Sequence, residues 1–153
     1  MKQFNFFDDF LFLKFTSKNK FLMKGSIIKN FRRAIKNNID YIQITNPTVE
    51  QEKYFRAIGK TTVLIKLANK YNLPILYRFC PDHIHHLCKE LNLKCPKLYS
   101  FRDALKKPVL RGLRMILVDE TISTEEIEKI KAENPIINIV GFSRITKNKI
   151  NNN

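Results

Sequence analysis

From residue 41 onward, short apolar segments alternate with longer segments that have the apolar spacing of helices. Strands are predicted at Tyr41–Thr45, 73–79, Met115–Val118 and 136–140. Helices are predicted at Lys60–Tyr71, at 82–91 and, with a cap from Ser123 or Thr124, at Thr124–Glu133. Parallel neighbours need a crossover between them, usually a helix, and a strand that is apolar throughout needs cover on both faces. The alternation therefore predicts an α/β fold, a three-layer sandwich around a mostly parallel sheet of about four or five strands.

The first forty residues differ in composition from the rest of this 153-residue, single-domain chain. Aromatic and leucine side chains crowd residues 4–15, and a basic helix is predicted at 26–38. We expect residues 1–40 to pack on a core formed by 41–146, with 147–153 as a polar tail. The aromatic start, residues 4–15, either packs in the core, docks the segment onto it or forms a surface for a partner. The outward helix face is either solvated or contacts phosphates, and it carries Lys29, Arg32, Arg33 and Lys36.

The charge balance favours an anionic partner, because 28 Lys and Arg residues against 14 Asp and Glu residues give a net charge of +14. Nucleic acid is the expected partner, although the codon bias of an A+T-rich genome would also raise the lysine content. The apolar runs fall short of the ~20 residues that span a bilayer, so no membrane partner is expected. Three cysteines without a secretory leader predict a reducing, cytoplasmic location, or the host cytoplasm or virion for a viral protein.

The strongest predicted helix begins with Gly59, Lys60, Thr61 and Thr62. Backbone N–H groups at a helix start, together with the positive end of the helix dipole, attract anions. Gly59 allows phosphates to approach the backbone, and Lys60 neutralises β- and γ-phosphate oxygens. The Thr61 hydroxyl is placed to reach a Mg²⁺ ion that bridges those phosphates. The segment predicts a nucleoside triphosphate site.

Two acidic residues follow the apolar strand Met115–Val118, about sixty residues further along the chain. Asp119 and Glu120 are expected at the carboxyl end of a parallel strand, the edge at which open α/β sheets bind ligands. Asp119 is predicted to hold Mg²⁺, directly or through water. Glu120 is predicted to accept a proton from the attacking water. Each motif often occurs by chance when it stands alone. The two motifs together, in this order and in these predicted elements, are a strong indication of a nucleotide-binding site.

In these motifs the chain resembles the P-loop NTPases, with Walker A at the helix start and Walker B at the apolar strand. It is most similar to the additional-strand group, which includes superfamily helicases and the ATPase domain of phage terminase large subunits. The matching segments are Arg-Ala-Ile-Gly-Lys-Thr-Thr at 56–62 and Leu-Arg-Gly-Leu-Arg at 110–114, within a resemblance that covers 41–144. Walker A is degenerate, because Tyr54 stands where the usual loop has its first glycine. Either Tyr41–Thr45 is the strand before a long loop, or residues 54–55 form a short strand.

The resemblance implies an ATP-binding protein that hydrolyses ATP with Mg²⁺ and acts with nucleic acid or a larger phage-type assembly. The nucleotide-binding residues it implies are Arg56, Gly59, Lys60, Thr61 and Thr62. Thr61 and Asp119 would hold the metal, and Glu120 with Lys60 would serve catalysis. Ser143, or alternatively Arg144, would sense the γ-phosphate. The motifs contain no arginine finger, so a neighbouring subunit of a homo-oligomer or viral assembly is expected to supply one. The alternative is a catalytically degenerate module with a structural or nucleic-acid-binding role.

A second cluster contains Cys80, His85 and Cys88, with Cys95 a little further along the chain. Zinc favours four Cys or His ligands, but a single helix rarely supplies a closed site. Four hypotheses follow from this cluster: a zinc site, a site that scavenges metal, a Cys–His nucleophilic pair, and a partly exposed helix with Cys88 buried.

Overall fold

The computed structural model describes residues 3–5, 14–15, 21–22, 25–45, 59–78, 81–106 and 108–144. The predictions for most of the aromatic start, for residues 54–55, for Arg56, for Cys80 and for the tail at 147–153 lie outside these ranges.

Eight strands and five helices occur in the described ranges. The strands are β1 (Gln3–Asn5), β2 (Lys14–Phe15), β3 (Phe21–Leu22), β4 (Tyr41–Thr45), β5 (Ile75–Tyr77), β6 (Leu98–Ser100), β7 (Met115–Val118) and β8 (Asn138–Arg144). The helices are α1 (Gly25–Lys36), α2 (Lys60–Tyr71), α3 (Pro81–Glu90), α4 (Phe101–Lys106) and α5 (Thr124–Glu133), with a 3₁₀ turn at Pro108–Leu110.

Six of the strands form one sheet in the order β1-β4-β8-β7-β5-β6, and every neighbouring pair is parallel. Strands β2 and β3 form a separate antiparallel pair. The predicted α/β class and parallel sheet are therefore confirmed. Two strands of the sheet, β1 and β6, were not predicted from the sequence.

Helices cover both faces of the sheet, as the apolar strand β7 requires. All four residues of β7 are buried, and they alternate between two hydrophobic cores. Met115 and Leu117 face the first core, which contains side chains from α1, α2 and α3. Ile116 and Val118 face the second core, which contains side chains from α4 and α5. This is the expected three-layer sandwich.

Helix α1 is part of the first core. The Phe31 ring lies edge-on to Tyr41 of β4 and to Phe142 of β8, with ring centroids 5.4 and 5.2 Å apart. Such aromatic pairs add about 0.5–1.5 kcal/mol beyond the area they bury. The helix predicted at 26–38 is thus present as Gly25–Lys36, and it packs directly on the central strands.

The helix ends show why the chain turns where it does. Asn72 adopts a left-handed conformation (φ 52°) after α2, and its N–H bonds to the Ala68 carbonyl. Ser123 is the residue that caps α5, in a capping box with Glu126. Within the described ranges, no helix combines the length and the apolar character that a membrane crossing needs.

The last strand differs from the prediction. It was predicted at 136–140, but β8 spans Asn138–Arg144. Gly141 lies inside the observed strand and allows its close approach to β7. The predicted strand at 73–79 is shorter, Ile75–Tyr77, because Asn72 and Pro74 delay its start.

Candidate functional site

The backbone of Gly59 and the first helical hydrogen bond define the beginning of α2. Gly59 precedes the helix with a left-handed backbone (φ 88°), which favours glycine. The first helical bond joins the Val63 N–H to the Gly59 carbonyl at 2.9 Å, so the N–H groups of residues 60–62 have no acceptor within the helix. No side chain of the described residues caps this end, and no acidic residue lies in its first turn.

Lys60 and Glu120 meet at this helix end. The Lys60 Nζ lies 2.8 Å from Glu120 Oε2. The lysine side chain is only 7% exposed, whereas the glutamate is 27% exposed and open to solvent. The structure thus joins the predicted phosphate-binding lysine to the second acid of the predicted Walker B motif.

Asp119 is held beside the same helix end. Its Oδ1 accepts a long hydrogen bond of 3.4 Å from the Thr61 hydroxyl, and the aspartate is 8% exposed. Its backbone N–H bonds to the Leu76 carbonyl at 3.0 Å, which fixes the end of β7 against β5. Residues 58 positions apart in the sequence are therefore in contact where α2 begins and β7 ends.

Thr121 completes this arrangement, although neither sequence motif included it. Its hydroxyl donates to Asp119 Oδ2 at 3.1 Å and accepts from the Arg78 backbone N–H at 3.2 Å. The signal that would have found it is the aspartate two positions earlier, because an aspartate carboxylate often accepts from the backbone N–H two residues on, as Asp119 Oδ2 does from Thr121 at 3.5 Å. Thr121 therefore fixes the rotation of the Asp119 carboxylate.

The other predicted site residues occupy different positions. Thr62 is partly exposed in the first turn of α2. Ser143 is completely buried in β8, and its hydroxyl donates to the Ile122 carbonyl at 2.8 Å. Ile122 belongs to the second core, whereas α2 packs on the first. Arg144 is exposed at the end of β8. The sensor role assigned to Ser143 stays a prediction.

Among the described residues, no group of three or more His, Cys, Asp or Glu is suited to hold a metal, and Cys80 of the predicted cluster lies outside them. Cys88 is buried in α3, as one of the hypotheses predicted. Cys95 Sγ lies 3.2 Å from His85 Nδ1.

Compared with protein-family models, with curated proteins and with solved structures, the chain matches none of them. The contacts between the start of α2 and the end of β7 therefore carry the functional conclusion.

Proposed function

We propose that this chain binds ATP at the start of α2 and hydrolyses it with Mg²⁺. The observation that carries the proposal is the meeting of Lys60 with Glu120 at 2.8 Å and of Thr61 with Asp119 at 3.4 Å. These are the residues that the two sequence motifs assign to phosphate, metal and water. Their contact satisfies the requirement that both motifs serve one site.

Phosphate binding follows from the electrostatics of the helix end. The N–H groups of residues 60–62 and the helix dipole favour an anion, and Lys60 adds a full positive charge. Because Lys60 is nearly buried, its attraction for an anion is screened less than that of a surface lysine. ATP rather than another nucleotide is the expectation that the resemblance supplies.

The oxygen atoms of Thr61 and Asp119 fit a magnesium ion. Mg²⁺ prefers oxygen ligands about 2.0–2.1 Å away in octahedral geometry, so adjacent ligands lie about 2.9 Å apart. The observed Thr61–Asp119 separation of 3.4 Å needs only a small adjustment to reach that spacing. Two protein oxygens are enough, because Mg²⁺ at such sites keeps waters and phosphate oxygens as its other ligands. When bound, the ion would neutralise charge that develops on the phosphates.

Glu120 is placed to act on water. It is more exposed than Lys60, so its carboxylate can reach a solvent molecule beside the phosphates. A general base of this kind contributes about 10²–10⁴-fold to the rate of a reaction. Hydrogen bonds from Thr121 and Thr61 hold the Asp119 side chain in place. The backbone from which the neighbouring Glu120 side chain extends is therefore held as well.

The strand order supports the same proposal. Strand β8 lies between β4, the described strand that comes before the Gly59 helix start, and β7, which carries the acids. All three strands run parallel to one another, so their carboxyl ends share one edge of the sheet. The arrangement also leaves the carboxyl ends of β4, β8 and β7 next to one another, beside the start of α2.

The test is a titration with ATP, with and without Mg²⁺, that measures binding and phosphate release. Lys60→Ala should abolish binding, while Lys66→Ala, on the exposed side of the same helix, should not change it. Glu120→Gln should keep binding and lower phosphate release by about 10²-fold or more, while Glu128→Gln should be neutral. Unchanged binding by Lys60→Ala would overturn the proposal. We also expect a neighbouring subunit to supply an arginine to the site. Full ATPase activity in a strictly monomeric sample would rule out that contribution.

A second candidate function, a nucleic-acid-binding module, is favoured by the outer face of α1. Its exposed basic residues are Lys29, Arg32, Arg33 and Lys36, and the helix contains no acidic residue. Each phosphate contact contributes about 0.9 to the slope of log affinity against log salt for duplex DNA. Charge reversal of Arg32 and Arg33 should therefore lower that slope by up to about 2. An unchanged slope would exclude α1 as the interface.

A further inference from the structure

Two thiols and an imidazole lie together at the end of α3, away from the proposed nucleotide site. Cys95 Sγ is 3.2 Å from His85 Nδ1, and Cys95 packs against the first core, to which Cys88 belongs. Both cysteines are free thiols, Cys88 buried and Cys95 partly exposed. The cluster does not depend on nucleotide binding.

The turn after α3 explains how the chain brings these groups together. The Leu93 N–H bonds to the Cys88 carbonyl at 2.9 Å, and Asn92 adopts a left-handed conformation (φ 52°). This is the pattern of a Schellman motif, which reverses the chain at a helix end. The reversal returns Cys95 to the side of α3 that carries His85 and Cys88.

A basic pocket lies beside Cys95. It has a volume of about 490 Å³ and is lined by Cys95 together with two lysines, Lys94 and Lys97, and two asparagines, Asn69 and Asn72, with no acidic residue in its lining. Such a pocket favours an anionic molecule of small size. Cys95 belongs to both the pocket lining and the thiol cluster, so a small anion bound in the pocket would lie beside this residue.

We propose that Cys95 and Cys88 form a thiol–disulfide exchange site that takes a small anionic disulfide. In the first step the Cys95 thiol gives its proton to His85 Nδ1. Its sulfur then attacks one sulfur of the disulfide, so that a mixed disulfide forms and one small thiolate leaves. In the second step Cys88 loses its proton to the solvent and attacks Cys95 Sγ, which releases the second thiolate. The small disulfide is reduced to two thiols, and the two cysteines are oxidised to one disulfide.

The order of the two steps follows from the environments of the sulfurs. Burial, then the hydrogen bond to Cys95, then the Cys95 charge raise the pKa of Cys88 to about 11, so this thiol keeps its proton at neutral pH. Cys95 is partly exposed and contacts an imidazole that can take its proton. Cys95 therefore reacts first, and proximity then allows Cys88 to resolve the mixed disulfide.

The experiment uses the full chain with Cys80→Ser, so that only the two cysteines of the cluster remain. Oxidised glutathione is the anionic probe and cystamine the cationic one, and intact mass is followed with time. We expect the glutathione reaction to end with the loss of two hydrogen atoms and no adduct. Cys88→Ala should stop at the mixed disulfide, and Cys95→Ser should not react on the same time scale. An adduct on Cys95→Ser formed as fast as on the parent would overturn the proposal.

Two further variants test the assigned roles. His85→Gln should slow the first step about 10-fold or more, because the thiol loses its proton acceptor. Replacing Lys94 and Lys97 with glutamine should slow the reaction with glutathione disulfide and leave that with cystamine unchanged. Equal slowing of both probes would overturn the anionic preference. Stoichiometric zinc that survives dialysis and protects both thiols would overturn the exchange site in favour of a metal site.

Discussion

A methyl group added at residue 141 should disrupt the centre of the sheet. Gly141 lies in β8 opposite Val118 of β7 and Ile42 of β4. A Cβ at this position would lie 2.2 Å from the Val118 carbonyl oxygen and 2.9 Å from its nitrogen. Both are backbone atoms, so no side-chain rotation can relieve the contact. The glycine also has φ +149°, a conformation that L side chains rarely adopt.

The expected loss of stability has two parts. The backbone conformation costs about 1–3 kcal/mol for a residue other than glycine. Overpacking costs about another 1–3 kcal/mol, because β7 must move away from β8. The sum for Gly141→Ala is about 2–6 kcal/mol, a large share of the roughly 5–15 kcal/mol that stabilises a typical domain. For a chain of this length, each kcal/mol lowers the Tm by about 2–4 °C, so a decrease of about 4–24 °C is expected.

The assay is urea unfolding followed by circular dichroism, with Gly112→Ala as the matched control. Gly112 also has a positive φ, +83°, but a Cβ added there would meet no atom within 4 Å beyond its own chain neighbours. The control therefore carries backbone strain without the steric contact. If Gly141→Ala loses no more stability than Gly112→Ala, the reasoning about the close approach of β8 to β7 is wrong.

Two smaller predictions concern contacts that hold the layers together. Ser123→Ala removes the hydroxyl that accepts from the Glu126 N–H, and it should destabilise the fold by about 1 kcal/mol in urea unfolding, whereas Ser123→Thr should cost less. Asp40→Ala leaves the Ile139 N–H without its carboxylate acceptor at 2.7 Å and removes the ion pair with Lys131, so it should cost about 2–3 kcal/mol. Asp40→Asn keeps an acceptor oxygen and should cost about half as much; equal losses for Asn and Ala would contradict this assignment.

Elements with clear end signals were predictable from the sequence. Helix α2 occupies Lys60–Tyr71 as predicted, because glycine precedes it and asparagine follows it. Strand β7 was predictable because a run of four consecutive apolar residues, too short for a helix of its own, is typical of a strand covered on both faces. The convergence of Lys60 with the acids after β7 followed from the same reasoning, since a helix start and a strand end share the carboxyl edge of a parallel sheet.

Other elements carried no comparable signal. Strand β6 has three residues, all partly exposed, so neither length nor periodicity identified it. The strand predicted at 136–140 stopped short of Gly141, whose role inside β8 is visible only once β7 lies beside it. Thr121 was missed for a related reason: one of its two partners, Arg78, directly follows β5 and is brought near only by the fold.

The Lys60–Glu120 ion pair leads to a further prediction, which concerns nucleotide affinity. Under the proposed function, phosphate oxygens replace Glu120 Oε2 at the Lys60 ammonium, so the glutamate competes with the ligand. A partly exposed pair of this kind contributes about 0–1 kcal/mol, which corresponds to up to about 5-fold in affinity. Glu120→Gln should therefore bind ATP as tightly as the parent or up to about 5-fold more tightly, even though it releases phosphate slowly. Weaker binding by Glu120→Gln than by Glu128→Gln, in the same titration, would mean that the carboxylate supports the ligand rather than competing with it.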